Sequence, residues 1–208
     1  MIVRKEFIPL YFTLLIWILN VFQFISGYSL RSLGISPREQ ASLIGILTAP
    51  MIHGSWEHLL SNTLPLLILG TLLFIMYGKI ALRVWTLIYI FSGAFVWVLA
   101  RGNSVHVGAS GVIYGLASFL FFSGFFRMDI RSIAIALGVS LFYGGMVWGI
   151  LPLQEGVSWE SHLFGGFVGL ALAYFYRNQR DETEQTEPTL EQTERKSFEK
   201  YLQQRDFT

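Results

Sequence analysis

The sequence predicts an all-α polytopic membrane protein, with six transmembrane helices surrounding a water-accessible cavity open to the outer side. Three observations predict it. Charged residues make up 14% of the 208-residue chain and hydrophobic ones 53%, whereas soluble domains carry about 25% charge. Those few charges divide the chain into six apolar stretches of spanning length. Finally, the side chains able to do chemistry all fall at one level of the resulting topology.

A spanning helix needs about 20 apolar residues, within a range of roughly 17–25. The stretches run over residues 8–27, 57–77, 80–100, 110–126, 130–151 and 158–176, the fourth meeting that range narrowly. The first follows "MIVRKEF", but its core exceeds the roughly 7–15 residues of a signal peptide and no small-x-small site closes it. It is expected to be a retained anchor. With the N-terminus inside, the inner segments hold Arg4, Lys5, Lys79, Arg83, Arg127, Arg131, Arg177 and Arg180, against Arg31, Arg38 and Arg101 outside. This positive-inside bias puts both termini in the cytoplasm.

Two pieces lie outside the spans. Residues 28–56 form a long outer loop whose apolar part, "ASLIGILTAPMI", is too short to cross and is expected in or on the outer leaflet. Residues 178–208 are polar and rich in Glu, Gln and Thr, so a disordered cytoplasmic tail is expected after a membrane domain of residues 1–177. There are no cysteines, which excludes disulfides, thiolate zinc sites and a cysteine nucleophile. No basic face with interleaved aromatics is present, so nucleic acid is not an expected partner. Nothing in the sequence sets an oligomeric state.

His53 and His58 sit where the outer loop meets span two, and His162 lies near the outer end of span six. Ser110 opens span four at the same level. Its 17 residues to Phe126 rise about 26 Å at 1.5 Å each, against a hydrocarbon core about 30 Å thick. With Arg127 at the inner boundary, Ser110 lies just beneath the outer one. Irregular backbone at that depth, here "NSVHVGA", is tolerated only inside protein or beside a water-filled cavity. His106, within it, reads as a loop residue. Glu57, Glu155 and Glu160 look like loop or helix-start positions.

Glycine spacing brings two of these groups together. Gly111 and Gly115 in span four, and Gly165 and Gly169 in span six, each make a G-x-x-x-G, which lets helices approach closely. His162 precedes Gly165, Gly166 and Gly169 by three, four and seven residues, on one helix face. If the two faces meet, Ser110 and His162 come within the about 2.6–3.2 Å that passes a serine proton to a general base. His58 and Asn62, four apart at the outer end of span two, are suitable oxyanion donors, as is the backbone N–H of Ser110 at a helix start. Taken singly, each group has a packing role. Four polar groups from three spans at one depth point to nucleophilic catalysis. Histidines without carboxylate or thiolate company give poor support to a metal site.

With these residues placed, the chain resembles the rhomboid family of intramembrane serine proteases. The likeness covers residues 8–176. It rests on His58-Leu-Leu-Ser-Asn62 preceded by His53, on Gly108-Ala-Ser110-Gly111 followed by Tyr114, and on "SHLFGGFVG" from His162 to Gly169. The resemblance implies a Ser110–His162 dyad without an acidic third member. It also implies an oxyanion site of His58, Asn62 and the Ser110 N–H, with Tyr114 packed against the His162 ring. His53, Gly108, Gly111, Gly115, Gly165, Gly166 and Gly169 would support it. Substrates would be transmembrane segments cut near the outer membrane face, after small side chains, with membrane lipid as surroundings. No cofactor, metal or ATP is expected. The family's frequent Trp-Arg pair is missing from "SPREQASLIGILTAPMI", which leaves open how that loop is anchored. By the same analogy "PLQEGVSWE" is the lid, with Gly156 its hinge.

Two rival functions are weighed against this one. A catalytically silent rhomboid-like binder of membrane-protein helices would lack Ser110 or His162, and both are present. A transporter or channel would carry ionisable groups through mid-membrane, and none lies there. The bias of basic residues points to a bacterial plasma membrane, with the site toward the outer side.

Overall fold

The computed structural model describes residues 4–153, 158–179 and 198. By its contacts the chain divides into Met1–Asn178 and Gln179–Thr208. The expected disorder of the tail and the lid hinge at Gly156 fall outside the described residues. Among the described residues all regular elements are helical, apart from one isolated bridge between Ile35 and His106.

The helices are α1 (Ile8–Ser26), α2 (Gly45–Thr48), α3 (Trp56–Met76), α4 (Gly78–Leu99), α5 (Ser110–Arg127), α6 (Ile130–Tyr143) and α7 (Trp159–Phe175). A 3₁₀ segment, Gly144–Ile150, carries α6 onward. Five helical runs, the last being Ile130–Ile150, are long and apolar enough to cross a membrane. The sixth, α7, has 17 residues, at the lower end of the spanning range. The observed limits lie within two residues of those read from the sequence.

Local chemistry sets these limits. Gly27 closes α1 in the left-handed conformation, φ 72°, which glycine adopts without a side-chain penalty. Ser55 caps α3 by accepting from His58 N–H, and Asp129 caps α6 by accepting from Ser132 N–H.

Helix α5 is central. More than half of its residues are buried, whereas the α6 run faces outward almost throughout. Val112, Leu116, Phe119 and Leu120 of α5 pack with Leu66, Leu69 and Leu73 of α3 and Val84 and Ile88 of α4. Between α5 and α7 the contact is made by backbone. A methyl on Gly165 would strike the Gly111 carbonyl, and one on Gly169 the Gly115 carbonyl. The paired G-x-x-x-G faces therefore meet. Gly166 is different, since a methyl there meets nothing. It points away from the contact because it is one residue, about 100°, further round the helix. Its contribution is a carbonyl that accepts from Ser118 Oγ at 2.7 Å.

The segment between α1 and α3 folds into short turns around α2, with Leu43, Ile44 and Leu47 exposed. Without a Trp-Arg pair of its own, it is anchored to the end of α4. Arg38 donates to the carbonyls of Ala100 (2.6 Å) and Val98 (3.2 Å), and Trp97 Nε1 donates to Glu39 O at 3.0 Å. The arginine thereby satisfies carbonyls that a helix end leaves unpaired.

Candidate active site

Ser110 is the first residue of α5 and is buried. It shares a cavity of about 930 Å³ with His58, Asn62, Tyr114, Gly149 and His162. The α5 ladder begins with Ile113 N–H to Ala109 O. The N–H groups of Ser110, Gly111 and Val112 therefore have no partner within the helix. The start of a long helix also favours negative charge. The nucleophile candidate thus stands where a developing oxyanion would be best received.

His162 is held on two sides. Its ring stacks on Tyr114 with centroids 4.1 Å apart and planes 3° from parallel. Its Nδ1 lies 2.8 Å from Gly149 O. A carbonyl only accepts, so Nδ1 carries the hydrogen and a neutral ring keeps its lone pair on Nε2. Tyr114 is itself tied down, its hydroxyl donating to Met146 O at 2.7 Å. No hydrogen bond joins Ser110 Oγ to His162 in this arrangement. Such bonds often tighten only when a substrate is bound.

On the facing wall, Asn62 Nδ2 donates to His58 O at 2.8 Å, leaving its second hydrogen for other use. The His58 ring lies against Gly108, whose φ is +111°. A methyl at Gly108 would approach His58 Nε2 to 2.7 Å. Backbone conformation and space both require glycine there.

His53 is fully buried, and its ring packs edge-on to His58 at 4.9 Å. Neither ring nitrogen has a hydrogen-bond partner. Burial first, then the neighbouring His58, pushes its pKa down to about 3. The backbone at His53 is braced by α1, since His53 N–H donates to Asn20 Oδ1 at 2.7 Å and Gln23 Nε2 donates to His53 O at 2.8 Å. Asn20 also reaches Met51 O at 2.7 Å. Sequence reading passed over Asn20 and Gln23, although two amides three apart in a span are themselves a signal.

His106 and Glu160 stand in the loop and at the helix start expected of them, and both are buried there. His106 is joined to two serines: its Nε2 lies 2.9 Å from Ser104 Oγ in its own loop, and its Nδ1 bonds Ser158 Oγ just before α7. Burial lowers its pKa, with Glu160 pulling the other way and Arg101 adding to the fall. Glu160, in the first turn of α7, is closed off from solvent as well. It pairs with Arg101 Nε at 3.0 Å, and compensation by a partner cation is what makes a buried carboxylate tolerable. An acidic group therefore does stand two residues from His162, but the imidazole nitrogen is bonded to Gly149 instead. Among the described residues, no group of three His, Asp or Glu side chains is placed to hold a metal ion.

Residues 40–179 match the family described as the Rhomboid domain. The chain is 35% identical over 173 residues to an uncharacterized protein of Mycobacterium tuberculosis, covering 78% of this chain and 71% of that one. It is 32% identical over 148 residues to Rhomboid-like protein 11, chloroplastic, of Arabidopsis thaliana, covering 62% and 50%.

Proposed function

The chain belongs to the rhomboid family, and on that premise we propose that it is an intramembrane serine endopeptidase using Ser110 as nucleophile and His162 as base. The observation that carries this reading is the shared cavity. Residues of α3, α5 and α7 suited to receive an oxyanion, to attack a carbonyl and to accept a proton all line that one space.

The chemistry follows from those groups. A transmembrane segment unwinds and presents a peptide carbonyl to the cavity. His162 Nε2 takes the proton of Ser110 Oγ as the oxygen bonds to the carbonyl carbon. The negative oxygen is received by His58, Asn62 and the unpaired N–H at the start of α5; one such donor contributes about 2.7–4 kcal/mol to the transition state. The intermediate collapses as imidazolium gives its proton to the leaving amine. Water, deprotonated by His162, then attacks the acyl-enzyme, and the proton returns to Ser110.

The protein is an integral membrane protein. We place its termini in the cytoplasm and its site toward the outer side of a bacterial plasma membrane, from the distribution of Lys and Arg. Purified protein in detergent, treated with a fluorescent fluorophosphonate, tests the reading. Wild type should label, and folded Ser110→Ala and His162→Ala should not. A folded wild type that neither labels nor cleaves a transmembrane substrate would be a silent binder of membrane-protein helices.

A further inference from the structure

Span five changes from α-helix to 3₁₀ at Gly144 and keeps that form to Ile150. Mid-span 3₁₀ segments commonly mark a functional constraint. Here the constraint is visible. Residues three apart eclipse in a 3₁₀ helix, so the carbonyls of Met146 and Gly149 lie one above the other. Each takes one of two stacked rings: Met146 O accepts from Tyr114 Oη, and Gly149 O accepts from His162 Nδ1. Gly149 O also belongs to the last turn of its helix, where carbonyls are unpaired and carry the negative end of the helix dipole.

Resting on the reading of His162 as the base, we propose that Gly149 is a positioning residue whose carbonyl takes the part an acidic residue plays in a serine triad. It fixes the Nδ1–H form of His162, keeps the Nε2 lone pair for Ser110, and steadies the imidazolium formed during acylation. The wrong tautomer in a triad costs about 10⁴ in kcat, so an enzyme without the acid needs another acceptor at that nitrogen. A methyl at position 149 would press on Tyr114 Oη and lie 3.2 Å from His162 Nδ1, so glycine leaves both rings in place. The same segment offers its own control, since methyls at Gly144 and Gly145 meet nothing within 4 Å.

The test compares wild type, Gly149→Ala, Gly145→Ala and Gly149→Ala with Tyr114→Phe. It measures fluorophosphonate acylation, kcat and KM on a transmembrane substrate, Tm, and the ¹⁵N shifts of the His162 ring. Wild type should show a protonated Nδ1. Gly149→Ala should lose about tenfold or more in acylation and kcat at unchanged KM and Tm, consistent with impaired general-base catalysis, and should lose that ¹⁵N signature. Gly145→Ala should behave as wild type. Tyr114→Phe removes the hydroxyl that the new methyl strikes, so the double variant should regain part of the lost rate and the signature. Full activity in folded Gly149→Ala overturns the proposal, as does a loss that tracks Tm without rescue. A wild type with its proton on Nε2 overturns it whether or not the protein cleaves anything. A wild type holding the Nδ1 proton but inert to probe and substrate overturns the protease reading, and the catalytic role of Gly149 with it.

Discussion

His106 and Ser158 are hydrogen-bonded across two distant parts of the chain, the loop leading to Ser110 and the residue that precedes α7. Ser158 Oγ continues to Ser161 Oγ at 2.6 Å, and the Ser161 carbonyl faces Gly111, 3.2 Å from where a methyl would stand. This chain of polar contacts fastens the N-terminal ends of α5 and α7. His106→Ala leaves the half-buried hydroxyls of Ser104 and Ser158 without their partner, at about 1 kcal/mol. It should lower Tm more than Ser158→Ala does, and the double variant should fall by less than the sum, because both remove one bond. Additive Tm losses would show that the two residues act separately.

His53 makes stability depend on pH. Its pKa is near 3 in the folded protein against an ordinary 6.5, so below pH 6.5 the unfolded chain binds a proton that the folded one refuses. Stability is whole above pH 6.5 and declines, as pH falls toward 3, by about 1.4 kcal/mol per pH unit from this group. His53→Phe replaces two unpartnered buried nitrogens by carbon. Its Tm against pH should be flatter over that window than that of wild type. Parallel curves would assign the acid sensitivity to other groups.

The glycines of α7 differ in kind. Gly165→Ala and Gly169→Ala force a methyl into backbone carbonyls of α5, which cannot turn aside as a side chain would. Overpacking of this sort costs about 1–3 kcal/mol and moves the helix that carries His162. Both variants should lose stability and probe labelling together. Gly166→Ala opens onto empty space and should change neither. A reversed order in a thermal-shift series would contradict the geometry.

The parts of this arrangement that were legible in the sequence are those set by period and spacing. Span limits followed from apolar length, and the α5–α7 contact from Gly111, Gly115, Gly165 and Gly169 at four-residue intervals. Gly166 was grouped with them because spacing from His162 alone does not tell which side of the face a residue occupies. His106 and Glu160 are the loop and helix-start residues they read as, but their burial was not legible because their partners, Ser158 and Arg101, are distant in sequence. Asn20 and Gln23 had a signal, polar amides inside a span, but their targets are backbone groups of Met51 and His53 that no side-chain pattern displays. Gly149 acts through its carbonyl, which every residue possesses. Only its missing side chain, in a stretch already rich in glycine, distinguishes it.

Asn62 gives the sharpest test of the oxyanion wall. One hydrogen of its amide is engaged by His58 O, which holds the group in place and leaves the other to meet negative charge in the cavity. Asn62→Ala removes that donor and should lower kcat by about 10²–10³, the usual effect of losing one oxyanion donor, with little change in KM. Asn62→Asp keeps the shape but offers acceptors only, and when ionised it places a negative charge beside the developing one. It should therefore be worse than Asn62→Ala, although it is the closer mimic. The comparison is made from kcat on a transmembrane substrate at neutral pH, with Tm confirming that both variants are folded. An aspartate variant as active as wild type would mean that Asn62 serves α3 alone, and that the oxyanion is received by His58 and the start of α5.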